Sequence, residues 1–387
     1  MKMLNVLLFL IAFLVGADEL MLGPILAPIG NDLGVAPERV TLFITTYSVA
    51  LACVAPFLGA YSDRHGRMTV LIPASLLFGL ASVATGVVGT FEAGLVTRVV
   101  TGLASAGMLP IAFALAADSS GGEAMKRIAW VQSGLTLGMI ASPALGAFLA
   151  ESLSWRAGFL VLGVCAWIIA AALGYLSLSE KDLPVKTVVA SETREDASGK
   201  IWAIPGAAGA LLAMCFGLGG GIGLFNLIGQ HLRDTQGLSM WSVGSLYAVL
   251  GCVSVVGNLL MPRLSARLES GRQVMRIALL VCVLVSVWFY LFPAENLLVL
   301  IPPLLLWSLA GGVGSPALQS YIAELSPAHR GILMSLAMTM MHLGVALWSG
   351  VAGFVYTTGP VGMALLAFVL FGVAMTVLQP VKMKRAS

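Results

Sequence analysis

Three ionisable side chains lie inside long apolar runs of this sequence. Asp18 and Glu19 are adjacent in the run 6–29, and Arg98 lies in the run 91–117. A charged side chain at the centre of a membrane helix costs about 3 kcal/mol on insertion scales, so such residues commonly mark a function. Burial disfavours the charged form of a carboxylate, which suits a group that takes up and releases a proton near neutral pH. We therefore interpret Asp18, and after it Glu19, as candidate proton-coupling residues.

Arg98 is a candidate partner for these acids. A guanidinium keeps its proton even when buried, so it has to be paired or hydrated. Asp18, Glu19 or backbone carbonyls of the first apolar run can all supply that pairing. Adjacent residues on a helix point about 100° apart, so Asp18 and Glu19 are not expected to face one cavity equally. Two interpretations stay open, a permanent structural ion pair or a site at which Arg98 tunes proton binding.

The composition places these charges in a membrane protein. Hydrophobic residues make up 59% of the 387 residues and charged residues 10%, whereas soluble domains carry about 25% charged residues. The Lys and Arg residues form no basic stripe, which argues against nucleic-acid binding. The five cysteines lie singly in apolar stretches, so neither a disulfide framework nor a metal site is predicted. We find no enzyme motif and no motif for a cofactor.

Twelve apolar runs reach the length of about 20 residues that a membrane helix needs. The polar stretch 179–200 has no apolar stripe and is predicted to be a cytoplasmic linker between an N-terminal six-helix bundle (1–178) and a C-terminal six-helix bundle (201–387). A signal peptide is the alternative for the first run, but that run reaches full span length. The predicted spans are 6–29, 41–61, 70–88, 91–117, 128–150, 155–178, 201–229, 239–261, 274–292, 297–322, 332–356 and 360–378.

A short charged turn between the second and third spans orients the chain. It combines Asp63, Arg64 and Arg67 with Gly59 and Gly66, and such a turn cannot lie in hydrocarbon. If this turn faces the cytoplasm, most of the basic residues and both termini are cytoplasmic as well, as the positive-inside rule requires. The exceptions among the 21 Lys and Arg residues are Arg39, Arg98, Arg156 and Arg233.

The two halves repeat at an ungapped offset of 206 residues. Asp118 and Glu324 both end a predicted span on the cytoplasmic side, and Asp63 corresponds to Glu269. Glu269 lies in a weaker copy of the charged turn, which also contains Arg272. Six spans in each half give the two copies the same orientation, as in transporters whose halves are related by an axis along the membrane normal. We interpret Glu269, Arg272 and Glu324 as a second-half gate.

Prolines and glycines are predicted to shape two of the spans. Pro24 and Pro28 follow the acids of the first span and should bend its outer half. In the fifth span, small residues at four-residue spacing surround Pro143 and include Gly138 and Gly146. Such a face allows close helix packing. The pattern alone leaves open whether it serves packing or mechanism.

Seven further polar side chains lie within or at the edges of predicted spans that would face the centre of a twelve-helix bundle. They either line a substrate cavity or hydrogen-bond to neighbouring helices, and both roles stay open. His342 is the one histidine within a predicted span and can titrate. The seven residues are Tyr47, Gln132, Asn226, Gln230, Asn258, Gln319 and His342.

These motifs resemble the major facilitator superfamily over nearly the whole chain. The turn 59–67 matches its G-x-x-x-D-R-x-G-R loop between helices 2 and 3, and Arg98 with Gly102 matches its R-x-x-x-G in helix 4. The fifth span is similar to the G-x-x-x-G-P-x-x-G-G motif of proton-driven exporters, with Ser142 and Ala147 in place of two glycines. The run 155–159 resembles the W-R-x-x-F start of helix 6 in twelve-span drug and sugar exporters.

The resemblance implies two six-helix bundles that rock around a midplane cavity. In the exporter branch an acid commonly stands where Asp18 does. The resemblance further implies a cytoplasmic gate, in which Asp63, Arg67 and Asp118 form a charge cluster that holds the outward-facing state closed on that side. Asp63 would also lie near the positive N-terminal end of helix 11, around Gly331.

These expectations add up to a proton-coupled exporter of small, amphiphilic molecules in a bacterial inner membrane. Its expected partners are a small-molecule substrate, protons and the lipid bilayer, and the expected state is a monomer. One alternative is a specific porter for sugars, nucleosides or amino acids. Another is a receptor-like or lipid-handling membrane protein without proton coupling. Proton movement on addition of substrate distinguishes this last class from the other two.

Overall fold

The chain folds into helices joined by short connections. The computed structural model describes residues 2–35, 37–40, 42–119, 122–179, 204–238, 240–268, 270–292 and 297–378, and these residues contain no strand. Within that part of the chain, twelve helical spans are long and apolar enough to cross a membrane. The expected all-α membrane fold with twelve spans is confirmed. The predicted linker, apart from Ser179 at the end of a helix, lies outside the described residues.

The chain divides into two compact units, Met1–Ala190 and Ser191–Ser387. In the first unit the helices are α1 (Lys2–Leu20), α2 (Leu22–Leu33), α3 (Pro37–Val40), α4 (Leu42–His65), α5 (Arg67–Val87), α6 (Phe91–Ala106), α7 (Leu109–Ala117), α8 (Gly122–Ser152) and α9 (Trp155–Ser179).

In the second unit the helices are α10 (Ala207–Ala213), α11 (Gly220–Asn226), α12 (Ile228–Gln236), α13 (Met240–Leu268), α14 (Gly271–Leu291), α15 (Leu297–Leu325), α16 (Arg330–Tyr356) and α17 (Pro360–Val377). A π-helical segment, Met214–Gly219, joins α10 to α11, and a 3₁₀ turn, Pro327–His329, precedes α16. π-Helical insertions are rare and often occur at functional sites.

The two units repeat the same packing, each within itself. In the first unit α1 packs on α8, α5 on α9, and α4 on α6. In the second unit the helices at the 206-residue offset pair in the same way, because the π-helical segment with α11 packs on α16, α14 on α17, and α13 on α15. The repeat that a few matched residues indicate in the sequence is therefore a repeat of helix packing.

Two spans of the first unit are interrupted near prolines. The first span breaks at Met21, between α1 and α2, and the fourth breaks at Gly107 and Met108, between α6 and α7. Proline has no N–H for the carbonyl four residues before it, so Pro24 leaves the carbonyl of Leu20 without its helical partner. Both breaks free backbone groups at membrane depth, where only protein or enclosed water can satisfy them.

The charged turn is shorter than the sequence predicts. Helix α4 continues through Asp63 and Arg64 to His65, and α5 begins at Arg67. Gly66 alone separates the two helices, with φ 97° in a region that favours glycine. The single residue reverses the chain, so the charged side chains of the turn belong to helix ends.

Candidate functional site

Asp18 and Arg98 form a buried, bidentate ion pair. Arg98 Nη1 donates to Asp18 Oδ1 at 2.7 Å, and Nη2 donates to Oδ2 at 2.9 Å. The Arg98 side chain is 1% exposed and the Asp18 side chain is 0% exposed. Of the candidate partners for Arg98, the structure brings Asp18 to it with two parallel hydrogen bonds, the strongest geometry for this pair of groups.

Helix breaks and close packing position this pair. Asp18 lies in the last turn of α1, three residues before the break at Met21. Arg98 lies in the middle of α6, where its Nε donates to the carbonyl oxygen of Phe43 at 3.4 Å. At Gly102 a Cβ would lie 2.2 Å from the carbonyl oxygen of Tyr47, so glycine is what lets α4 approach α6 here.

Two aromatic rings cover the guanidinium of Arg98. Its Cζ lies 4.8 Å from the centre of the Tyr47 ring and 5.7 Å from that of the Phe159 ring. Both distances allow cation–π attraction, which is strongest in a site that excludes water. Tyr47 is one of the candidate cavity residues predicted from the sequence, and Phe159 is not. Phe159 ends the W-R-x-x-F run, so the signal was present in the sequence without a role attached to it.

The second unit has leucines at the positions that correspond to Asp18 and Arg98. At the 206-residue offset, Asp18 corresponds to Leu224 and Arg98 to Leu304, and both leucines are fully buried. A buried ion pair contributes little net stability, and replacing such a pair by apolar residues is often neutral or stabilising. The same packing therefore does not require charges at these two positions.

Glu19 does not share the position of Asp18. It is partly exposed, whereas Asp18 is fully buried, as expected for neighbours about 100° apart on a helix. The charges of Glu19 and Asp18 both act on Tyr47. The two acids therefore lie on different sides of α1 but in the same electrostatic environment.

A second charge cluster ties three helix ends together. Arg67, the first residue of α5, donates from Nη1 to Asp63 Oδ1 at 2.5 Å and to Ser62 Oγ at 2.9 Å. Its Nε donates to Asp118 Oδ2 at 3.0 Å. The structure thus joins the three side chains of the expected cytoplasmic gate, and Ser62 is an addition that the sequence did not single out. Arg64 is exposed, and Gly59 is buried in α4.

The two described residues of the second-half gate, Arg272 and Glu324, are not joined in this way. Glu269 lies outside the described residues. Arg272 lies over the ring of Tyr321, 5.9 Å from its centre, and Glu324 accepts a hydrogen bond from Ser320 at 3.4 Å. At the 206-residue offset, Arg67 corresponds to Gln273, so the second unit lacks the cation on which the first cluster is built.

The small face of the fifth span is a close contact with the first span. At Gly138 a Cβ would lie 2.2 Å from the carbonyl oxygen of Phe13, and at Gly146 it would lie 2.7 Å from the Met21 side chain. Helix α8 continues through Pro143. The contact runs along α1 as far as its break at Met21, so it fixes the helix that carries Asp18.

The candidate cavity residues are distributed over both units. Tyr47 is the one that the structure brings to the Asp18–Arg98 pair. The side chains of Asn226 and Gln230 lie outside the described residues. The others are buried or half-buried within their own unit: Gln132, Asn258, Gln319 and His342, whose Nδ1 lies 2.9 Å from the Met338 carbonyl oxygen.

A third cluster lies at the far end of the first unit. Arg156 bonds to Asp32 Oδ2 and donates from Nη2 to the carbonyl oxygen of Val88 at 2.9 Å. Trp155 Nε1 also donates to Asp32, at 3.1 Å. The hydrogen bonds from Arg156 and then Trp155 lower the pKa of Asp32 below its usual value. The cluster holds the end of α2 to the start of α9, beyond the break at Met21 along the chain.

Comparison with known proteins places this architecture in a family. The sequence model of the Major Facilitator Superfamily matches residues 8–349. An uncharacterized MFS-type transporter of Bacillus subtilis (strain 168), YceJ, is 24% identical over 380 residues, which is 97% of this chain and 95% of that protein. A chloramphenicol resistance protein of Streptomyces lividans is 27% identical over 256 residues, 65% of this chain and 64% of that protein.

A solved structure shows the same fold. The crystal structure of FucP, a Major Facilitator Superfamily transporter in the outward conformation, matches with a TM-score of 0.78 at 13% identity, over 97% of each chain. The family match covers most of the sequence, and YceJ and FucP are both named as transporters. The chain belongs to the Major Facilitator Superfamily and is a multi-pass membrane transporter, not an enzyme.

Proposed function

We propose that this protein is a proton-coupled secondary transporter that exports small, amphiphilic molecules by alternating access. The observation that carries the proposal is the buried Asp18–Arg98 pair, with leucines at the corresponding positions of the second unit. A carboxylate that can lose its buried counter-charge is suited to exchange a proton. Asp18 is the proton-binding group and Arg98 the group that tunes it.

A proton and Arg98 compete for the same carboxylate. While both hydrogen bonds are in place, Asp18 has no oxygen free of the guanidinium. Protonation neutralises Asp18 and releases Arg98, whose charge persists because a guanidinium does not lose its proton in proteins. Protonation therefore changes the link between α1 and α6, and substrate binding can be coupled to that change.

Export is favoured by the fifth span and by a relative. The glycine contact between α8 and α1 belongs to the motif that resembles proton-driven exporters. The chloramphenicol resistance protein of Streptomyces lividans bears a name that indicates protection against a drug. Both observations support an amphiphilic small molecule as substrate and outward movement as the direction.

A bacterial inner membrane, with both termini cytoplasmic, is the proposed location, and a monomer is the proposed state. The support is the distribution of Lys and Arg along the sequence. A reporter enzyme active only in the cytoplasm, fused after Ser387, should be active. Activity of a reporter that works only outside the cytoplasm, fused at the same place, would reverse the orientation.

Everted membrane vesicles test the proposed function. Energised vesicles acidify their interior, so an exporter that exchanges protons for substrate should accumulate its substrate inside. We expect chloramphenicol or a similar amphiphile to accumulate in the wild-type vesicles, and a protonophore to stop it. Accumulation that a protonophore leaves unchanged contradicts proton coupling. Transport confined to sugars, nucleosides or amino acids identifies a specific metabolite porter.

Two variants connect this assay to the site. Asp18→Asn keeps the shape of the side chain but cannot exchange a proton, so it should lose gradient-driven accumulation. Asp18→Glu retains a carboxylate and should keep part of the gradient-driven accumulation. Gradient-driven accumulation by Asp18→Asn at the wild-type rate would move the coupling to Glu19 or His342.

A further inference from the structure

We infer that Tyr47 and Phe159 are positioning residues that set the pH at which Asp18 takes up its proton. The geometry behind this inference is the approach of both rings to the buried guanidinium of Arg98, at 4.8 Å and 5.7 Å. The inference rests on the proposed proton coupling at Asp18 and adds the residues that tune it.

Protonation of Asp18 removes the counter-charge that Arg98 has in this structure. The guanidinium stays charged and buried, and such a charge is costly unless it is compensated. Its other hydrogen bond goes to the carbonyl oxygen of Phe43, at a long 3.4 Å. The ring faces of Tyr47 and Phe159 still stabilise the cation in that state, since cation–π attraction is strongest where water is excluded.

The rings come from two helices other than α1 and α6. Tyr47 belongs to α4 and Phe159 to α9, and their side chains are 1% and 0% exposed. The rings therefore stay beside Arg98 when its bond to α1 is lost. When Asp18 is ionised, its carboxylate already compensates the charge of Arg98. The rings therefore stabilise the state with protonated Asp18 more than the state with ionised Asp18.

The ring of Tyr47, and not its hydroxyl, makes this contact. The hydroxyl is buried near Ser105, and neither oxygen has a hydrogen-bond partner at normal geometry. Tyr47→Phe therefore keeps the cation–π contact. Tyr47→Leu replaces the ring by an apolar side chain that cannot make this contact. The chain thus offers a matched pair of variants at one position.

The charged and titratable groups around Asp18 are few in the described part of the first unit. Arg98 faces Asp18 from α6, Tyr47 lies on α4, and Glu19 adjoins Asp18 on α1. On the other packed helices, Cys165 lies nearly two turns beyond Phe159, and the remaining groups lie toward helix ends: Asp32, Asp118, Glu123, Lys126, Arg127, Glu151, Arg156 and Tyr175. These residues are unchanged in the ring variants, so they cannot account for a difference among them.

The test is an infrared pH titration of the purified protein in lipid vesicles, which needs no substrate. The carboxylic-acid C=O band that Asp18→Asn lacks reports the protonation of Asp18. Losing a ring makes the protonated state less favourable, so Tyr47→Leu and Phe159→Leu should each move the midpoint to lower pH, by about one pH unit. Tyr47→Phe should keep the wild-type midpoint.

Two results overturn the inference. One is a pH midpoint of Asp18 protonation that is the same as the wild type's in both Tyr47→Leu and Phe159→Leu. The other is a shift of that midpoint in Tyr47→Phe as large as the shift in Tyr47→Leu. If Tyr47→Leu does not fold, Phe159→Leu on another helix provides the same test. Loss of coupling in Asp18→Asn together with unshifted ring variants rejects this inference alone. Full coupling in Asp18→Asn rejects the assignment of Asp18 as the proton-binding group as well.

Discussion

Arg67 Nε lies 3.0 Å from Asp118 Oδ2, so the first residue of α5 is bonded to the residue that caps the end of α7. The same guanidinium bonds Asp63 in the last turn of α4. One cation thus holds the ends of the second, third and fourth spans together. Since the Arg67 and Asp63 side chains are only 11% and 10% exposed, this cluster is screened less by salt than a surface pair.

The first prediction concerns this cluster. Asp63→Asn removes the closest carboxylate from Arg67 and should slow transport at least about tenfold, while equilibrium binding of the transported compound is retained. The reason is that a gate acts on the exchange between states and not on the substrate contacts. Transport and binding are compared for the compound that the vesicle screen identifies.

Glu123→Gln is the matched control for Asp63→Asn. Glu123 bonds to Lys126 at 2.8 Å with both side chains more than half exposed, and exposed pairs of this kind contribute about 0–1 kcal/mol. The Glu123→Gln variant should therefore transport the compound at the wild-type rate. Loss of substrate binding in Asp63→Asn with an unchanged transport step would contradict the gate role.

The second prediction concerns the contact between α8 and α1. At Gly138 a Cβ would lie 2.2 Å from the carbonyl oxygen of Phe13, so Gly138→Ala has to separate the two helices. We expect a severe loss of transport, measured in vesicles at equal protein amounts. Gly174→Ala on α9 is the control, because no atom lies within 4 Å of a Cβ there. Equal transport by the two variants would show that the close approach is dispensable.

The third prediction concerns pH and the Asp32–Arg156 bond. Hydrogen bonds from Arg156 and then Trp155 lower the pKa of Asp32 in the folded protein below 3.8. The bond therefore stabilises the fold fully above that pH, and this contribution is lost as the pH falls through the folded-state pKa. The Arg156 side chain is 30% exposed and the Asp32 side chain 44% exposed. Solvent screening therefore limits the contribution of this bond to stability to at most about 1 kcal/mol.

Thermal unfolding in detergent measures this difference. Asp32→Asn should unfold at a slightly lower temperature than the wild type at pH 7, and the two unfolding temperatures should converge as the pH falls from 3.8 through the lower folded-state pKa of Asp32. Glu151→Gln, a change at an exposed acid in the last turn of α8, should show no such convergence. A gap between Asp32→Asn and the wild type that persists in acid would mean that the ion pair is not its cause.

The spans could be predicted because hydrocarbon leaves the backbone few choices. A run of about 20 apolar residues in a membrane has to form a helix. The chemistry of arginine indicates that a buried Arg98 needs a partner, for which Asp18, Glu19 and backbone carbonyls of the first span are the candidates. The choice between the two acids could not be predicted, since it depends on the rotation of α1 within its unit. The approach of the Phe159 ring likewise depends on tertiary packing.

The repeat was informative only in part. Its offset predicted the matching helix packing of the two units, but it also suggested a second-half gate built on Arg272 and Glu324. Arg67, the cation of the first cluster, corresponds to Gln273 in the second unit. Arg272 is one residue away from that position, which is about 100° around the helix. A repeat of helices does not require a repeat of side-chain chemistry.

Proton movement through the reconstituted protein tests the central claim most directly. Proteoliposomes with a trapped pH indicator, given the compound identified in the vesicle screen, should show proton flux opposite to substrate movement. Asp18→Asn should bind the compound and move no protons, while Asp18→Glu should retain part of the flux. Substrate-driven proton flux through Asp18→Asn at the wild-type rate would contradict the assignment of Asp18 as the proton carrier.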